Sequence, residues 1–361
     1  MSTSPERCLG ELLKDIDKDD EFDDWNSKSA IKCKSSKTAL ESSGGKNYSI
    51  LFSNILSSNS LDTYFFLPKK YAKIYTLFSK ENILSSFKSQ KMTKHLQKSL
   101  LEIPKQAISI IIKEIQGLFE VVIKNKNGNY FFSDLLKLCN KEQRIKILLE
   151  LSDKLSEICT DEFGSHPIQH LIEASTSEEE YKLILASFID SNKILIACLN
   201  KNGSFVIQKL IVHIPEKYRN DFNLLFVQLL CMLSRDMYGV CTVKKFIAHT
   251  NNVSVIKSIK KAISNNFVNI ASNLYGNYLI QYLLEKWWNT DEGVFLKNII
   301  FSKFQILANN HYSSYICFLY LKLSNSEEKK NLETSLIKNQ FGYINDKFKN
   351  LIPLYLNKNS S

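Results

Sequence analysis

The chain has 361 residues, 44% of them hydrophobic, with only 11 glycines and 6 prolines; this builds a large core and excludes collagen-like, Pro/Gly-rich disordered and turn-dense all-β chains. Net charge is +10, but the first 26 residues carry −6 and the remainder +16, with only four arginines (Arg7, Arg144, Arg219, Arg235). A Lys-rich basic body behind an acidic tail predicts a polyanionic partner, held by point charges rather than bidentate forks.

Residues 1–47 hold the acidic run Asp15–Asp24 and then a Ser/Lys-rich segment ending Ser42-Ser43-Gly44-Gly45, a composition that predicts disorder. An acidic, polar start is unlike a signal peptide. Residues 48–79 are expected to form capping helices. From about Lys80 onward apolar residues recur at helical spacing, as in Val255, Ile256, Ile259 and Ile263. The longest apolar stretches, Ile108–Ile112 and Leu224–Leu233, are broken by Ser109 and Gln228 and are too short to span a bilayer. Eight cysteines (Cys8, Cys33, Cys139, Cys159, Cys198, Cys231, Cys241, Cys317) are scattered with no CxxC pair. Several sit in apolar runs and read as buried thiols, and a reducing compartment, cytoplasmic or nuclear, is expected.

An internal repeat organises the rest. KNGNYFFSDLLK (126–137), EFGSHPIQHLIE (162–173), KNGSFVIQKLIV (201–212), MYGVCTVKKFIA (237–248) and LYGNYLIQYLLE (274–285) align on Gly128, Gly164, Gly203, Gly239 and Gly276, at spacings of 36, 39, 36 and 37. Weaker copies extend the period, with Met92, Ser313 and Lys349 at the glycine position, making eight repeats. Units of this length hold two or three short helices that cannot bury their apolar faces alone, so an all-α solenoid is expected.

In the sixth copy Leu279, Ile280, Leu283 and Leu284 fall on one helical stripe suited to packing between repeats. Asn277 and Gln281, at i and i+4, share another face with Tyr278 beside them. Stacked repeats would align such trios into a ladder. The polar pair can bond an unstacked base edge and the ring can stack on its face. Tyr130, Phe205 and Tyr278 taken singly read as core aromatics; their common slot beside polar pairs argues for stacking. His166 and His170 are also i and i+4, but Pro167 lies between them and no HExxH glutamate is present, so a stacking His166 and a structural His170 are expected. Ser165 and Ser204 lack GxSxG and any patterned His–carboxylate support, so no enzyme is expected. Trp287 and Trp288, just past the sixth helix, are expected to serve in a non-repeat loop or in packing rather than in function.

The repeated motif resembles Pumilio-family (PUF) RNA-binding repeats over roughly residues 80–361, most closely in GNYLIQYLLE, GSHPIQHLIE and GSFVIQKLIV. The resemblance implies a right-handed curved α-solenoid of about eight ~36-residue repeats that binds single-stranded RNA, 5′ end at the last repeat and one base per repeat. It further implies binding to mRNA 3′ untranslated regions, repression or decay through effector proteins, a monomer, and no cofactor or metal. By the family's pattern, Asn with Gln implies uracil, Ser or Cys with Gln adenine, and Ser with Glu guanine. Repeat one then offers Thr93 and Gln97 around Lys94, adenine-like. Repeat two has Asn129, Tyr130 and Ser133, with Ser in place of Gln. Repeats three (Ser165, His166, Gln169) and four (Ser204, Phe205, Gln208) imply adenine, and repeat six (Asn277, Tyr278, Gln281) uracil. Repeat five (Val240, Cys241, Lys244) is unreadable by this rule. Repeat seven (Ser314, Tyr315, Phe318) lacks the guanine-reading Glu, and repeat eight (Asn350, Leu351, Leu354) lacks its second polar reader and runs out before a full cap. The diverged copies leave two alternatives: an assembly factor of the same fold with little base choice, or a protein scaffold that has lost RNA specificity.

Overall fold

The computed structural model describes residues 76–338 apart from Pro104. The acidic tail, most of the expected capping segment, and the eighth-repeat residues Asn350, Leu351 and Leu354 lie outside the described residues. Those described belong to one unit, Pro68–Ser361. Among them there are eighteen α-helices, two short 3-10 turns and no strand.

The array begins with α1 (Lys80–Ser86), α2 (Gln90–Leu101) and α3 (Ile108–Glu114). Repeats two and three are three-helix units: α4 (Phe119–Ile123), α5 (Gly128–Leu138) and α6 (Lys141–Leu151), then α7 (Leu155–Ile158), α8 (Ser165–Ala174) and α9 (Glu178–Ala186). Next come α10 (Ser191–Leu199) and α11 (Lys201–His213). From here the connecting helices are continuous: α12 (Asn220–Leu233), α13 (Met237–Ala248), α14 (Val253–Ala271), α15 (Gly276–Trp287), α16 (Asp291–Ala308), α17 (Ser314–Leu323) and α18 (Ser326–Lys338). The difference is local. Between α9 and α10 the Asp190 carboxylate accepts from the backbone N–H groups of Asn192 and Lys193, restarting the helix. In α14 the chain runs through Ser264-Asn265-Asn266 without a break.

Helices α2, α5, α8, α11, α13, α15 and α17 stack each on the next and form one layer. A second layer is built by α6 on α9, α10 on α12, α12 on α14 and α14 on α16. Contacts thus run between neighbours along the chain, which defines the α-solenoid. The expected stripe is the core: Leu279, Ile280, Leu283 and Leu284 are fully buried, as are Phe131, Ile168, Ile207 and Val243 at the same layer. Each such side chain contributes about 1.5–3 kcal/mol of burial. Five of the six described cysteines are buried free thiols. Burial pushes Cys139 and Cys159 up to about 12, leaving them protonated and inert. Trp287 ends α15 rather than following it and is buried. Trp288 packs edge-on to Tyr320, with the Lys297 ammonium 3.9 Å from its ring centre.

The glycine anchor has a steric cause. A Cβ on Gly128 would lie 2.6 Å from the Val122 carbonyl oxygen, and one on Gly203 2.5 Å from that of Ala197. Gly164, Gly239 and Gly276 face the carbonyls of Ile158, Leu233 and Ile270 in the same way, always six residues back. Three residues before each anchor stands an Asn or Asp: Asn125, Asp161, Asn200, Asp236 and Asn273. Each accepts from the anchor's N–H at 2.7–3.0 Å. This second repeated signature lies in the sequence beside the glycine and was not singled out there; its alternation between Asn and Asp hides one shared acceptor role.

The far ends of two of these helices are clamped. Arg144 donates Nη1 to the Cys139 carbonyl at 2.7 Å and Nε to Glu180 at 2.6 Å, with both side chains nearly buried. Glu180 also accepts from the N–H groups of Thr176 and Ser177 at 3.0 Å. Two repeats on, Arg219 donates to the carbonyls of Ile214 (2.9 Å) and His249 (3.2 Å).

Candidate nucleic-acid interface

The residue after each anchor lies in the first turn of the helix and is drawn into it. Thr93, Asn129, Ser165, Ser204, Val240 and Asn277 are all buried, and Ser314 is half-buried. Their polar atoms bond the preceding turn. Thr93 Oγ1 donates to the Ser86 carbonyl at 2.9 Å, Ser204 to Lys201 at 2.9 Å and Ser314 to His311 at 2.8 Å. Asn129 Nδ2 donates to the carbonyls of Asn125 (3.0 Å) and Lys126 (2.8 Å), and Asn277 Nδ2 to those of Asn273 (2.9 Å) and Leu274 (2.7 Å). Both Nδ2 groups are thereby committed to backbone carbonyls, which leaves the side-chain oxygen of each as its remaining acceptor.

Outside repeat five, where Cys241 is buried, the next position projects away. Tyr130 is 57% exposed, Tyr315 53% and Phe205 42%. Lys94 and His166 are also exposed, and Tyr278 is half-buried. Large exposed rings in one register form a row of stacking platforms. Partial desolvation of the ring beside the helix, and then the neighbouring His170, lower the His166 pKa below its ordinary value. His170 Nδ1 lies 3.2 Å from Glu173, which also pairs with Lys209 of the next repeat. Among the described residues no group of three or more His, Cys, Asp or Glu is placed to hold a metal.

The i+4 position is where repeats meet. Gln281 Nε2 donates to Asn277 Oδ1 at 2.8 Å within repeat six. Gln169 Nε2 donates to the Ser165 carbonyl at 3.4 Å in repeat three. Gln97 instead donates to Asp134 of repeat two at 2.6 Å, and Asp134 also pairs with Lys137. Lys244 lies 5.2 Å from the ring centre of Tyr282 in repeat six. Gln208 and Ser133 are buried, and Phe318 is half-buried. The structure therefore brings the trios of repeats one to seven onto one layer, in register. Asp134 and Tyr282, one residue beyond the i+4 slot, join the face from the neighbouring helix. Local periodicity did not mark them, because their role depends on helix stacking.

A family model described as "PUF: Pumilio-family RNA binding repeat" matches residues 122–152, 154–186, 198–221 and 266–287, which are repeats two, three, four and six. Pumilio homolog 12 of Arabidopsis thaliana is 26% identical over 230 residues, 63% of this chain and 38% of that protein. Pumilio homolog 11 of the same plant is 28% identical over 247 residues, 66% of this chain and 42% of that protein. The chain thus matches less than half the length of these relatives. The RNA-binding domain of Puf4, solved with the HO endonuclease RNA 3′ UTR recognition sequence, superposes with a TM-score of 0.64 at 20% identity, over 71% of this chain and 78% of that one. The RNA-binding domain of yeast Puf5p with SMX2 RNA gives 0.59 at 21% identity, over 67% and 69%. These superpositions establish the fold.

Proposed function

Since the chain belongs to the Pumilio (PUF) family of repeat proteins, we propose that its row of anchored helices binds single-stranded RNA with base selectivity. The observation that carries this reading is the register of the trios, complete in repeats one to four and six: a polar residue in the first turn of the helix, an accessible side chain beside it, and a polar i+4 partner. A base inserted between successive rings gains stacking on both faces, and its edge meets acceptors and donors whose orientation is already set. Repeat six is the most complete rung: Asn277 Oδ1 accepts from Gln281 Nε2 at 2.8 Å, which fixes the pair, and the Gln281 amide carries both donor and acceptor. Its pattern reads uracil, and repeats three and four read adenine.

The relatives named for mRNA binding, such as Fem-3 mRNA-binding factor 1 of Caenorhabditis elegans (27% identical over 218 residues, 51% of this chain and 35% of that protein), support a role on mRNA. We extend the proposal to 3′ untranslated regions, with repression or decay through recruited proteins, in the cytoplasm or nucleus, and with the chain acting as a monomer without catalysis. Leu149, Ile196, Leu224 and Ile306, exposed by 53–61% on the second layer, supply apolar surface for effectors.

Selection of the full chain against a random RNA pool at physiological salt tests the reading. Enrichment of a motif with uracil third from its 5′ end, followed after one position by two adenines, is the expected result. Tight binding without a motif would indicate an assembly factor, and no binding a protein scaffold.

A further inference from the structure

Repeat five departs from its neighbours in two independent ways. First, its base-facing positions hold nothing that reads or stacks. Val240 is apolar and 2% exposed, and Cys241, in the ring position, is 7% exposed with its Sγ donating to the Met237 carbonyl at 3.5 Å. A base arriving here meets neither a polar pair nor a platform from its own helix. The nearest rings in register are Phe205 of repeat four and Tyr278 of repeat six, two helix spacings apart. At about 8–10 Å per spacing, they cannot both touch one base.

Second, the seam between α13 and α15 concentrates positive charge. The Lys244 ammonium lies 5.2 Å from the Tyr282 ring centre, and that of Lys286 approaches the same ring at 5.8 Å. On the same layer Lys137 is paired with Asp134 and Lys209 with Glu173. Among the described residues neither Lys244 nor Lys286 has a carboxylate partner within 4 Å. Tyr282 offers the two cations only the weak attraction of a ring face. An ammonium has three donors and no acceptor, so it complements phosphate oxygens and not a base edge that mixes donors with acceptors.

We infer that repeat five holds the RNA backbone through Lys244 and Lys286 and reads no base, so that the strand passes this rung as a phosphate between two recognised segments. The inference rests on the RNA-binding reading above. Abasic substitution of a bound RNA separates the two. The full chain is titrated with fluorescein-labelled 5′-UAUAAAUA-3′ and with versions abasic at the fourth nucleotide, opposite repeat five, or the third, opposite repeat six. Loss of the fourth base is expected to change Kd less than about threefold, and loss of the third to weaken binding at least about tenfold, as removal of one stacked base should. Lys244→Gln is expected to weaken binding of the intact and fourth-abasic RNAs equally, and to lower the slope of log K against log salt by about 0.7. A loss at the fourth position as large as at the third would overturn the inference while leaving RNA binding intact. Unchanged affinity and slope in both Lys244→Gln and Lys286→Gln would overturn the phosphate contact. No binding of any octamer would overturn the RNA-binding reading and this inference with it.

Discussion

Ser313 Oγ donates to the Leu307 carbonyl oxygen at 2.8 Å, six residues back along the chain. In five other repeats the equivalent carbonyl faces a glycine that has no room for a Cβ. Repeat seven thus keeps the helix start of the other repeats with a different residue, by converting a steric approach into a hydrogen bond. Repeat one solves the same problem one position later, where Thr93 Oγ1 bonds the Ser86 carbonyl.

Adding atoms at this contact in one repeat and removing them in another should therefore both be harmful. Gly203→Ala places a Cβ 2.5 Å from the Ala197 oxygen and is expected to destabilise the array by about 1–3 kcal/mol, despite the better helix propensity of Ala. Ser313→Ala removes the hydrogen bond and leaves a buried carbonyl short of a partner, at about 1–3 kcal/mol. Urea denaturation of both variants checks the prediction; a neutral Gly203→Ala would refute the close approach.

The exposed rings predict a different signature. Tyr130→Ala and Phe205→Ala remove rings that are 57% and 42% exposed, so the melting temperature should move little, and least for Tyr130. Each should weaken RNA binding by about 1–3 kcal/mol if its ring stacks on a base. Calorimetry beside fluorescence anisotropy distinguishes this from a packing role, in which stability would fall first.

Repeat six offers a test of base reading. Asn277→Ser combined with Gln281→Glu removes the amide pair and sets a carboxylate in the i+4 slot, which accepts from the N–H groups of guanine. Preference at the third nucleotide should move from uracil to guanine, by about 1–3 kcal/mol of discrimination. Competition between octamers differing at that base reads it out, and unchanged preference would remove repeat six from the readers.

The acid limb of stability should carry Glu173. A hydrogen bond from His170, opposed by burial and reinforced by Lys209, lowers its pKa to about 2. A carboxylate whose folded pKa is depressed adds stability above its unfolded value near 4.5, and that stability is lost as pH falls toward about 2. Glu173→Gln should therefore flatten the fall in stability between about pH 4.5 and 2. Denaturation midpoints measured at pH 7, 4.5 and 2.5 would show it, and parallel profiles for variant and parent would contradict it.

Removing one half of the buried Arg144–Glu180 pair should be the most damaging single change among these. Arg144→Ala leaves Glu180 charged, buried and short of one partner, and uncaps the Cys139 carbonyl, costing about 3–5 kcal/mol. Replacing both residues with Met and Leu should recover much of that loss. Equal damage from the single and double variants would argue that packing, not the uncompensated charge, dominates.

The sequence by itself determined the period, the helical class and which side of each helix is core. Those follow from local rules: apolar spacing selects the stripe, and a glycine every 36 to 39 residues marks a fixed backbone approach. The same rules placed Asn277, Tyr278 and Gln281 side by side, since i, i+1 and i+4 on one helix are neighbours whatever surrounds it. Only the tertiary structure decided that the first reading residue is buried and bonded to its own turn, that Gln97 meets Asp134, and that Lys244 meets Tyr282. The last two contacts join residues 37 and 38 positions apart, and whether they touch depends on how far one helix slides and turns against the next. That offset is set by interdigitated side chains across the whole seam, a property no single repeat encodes.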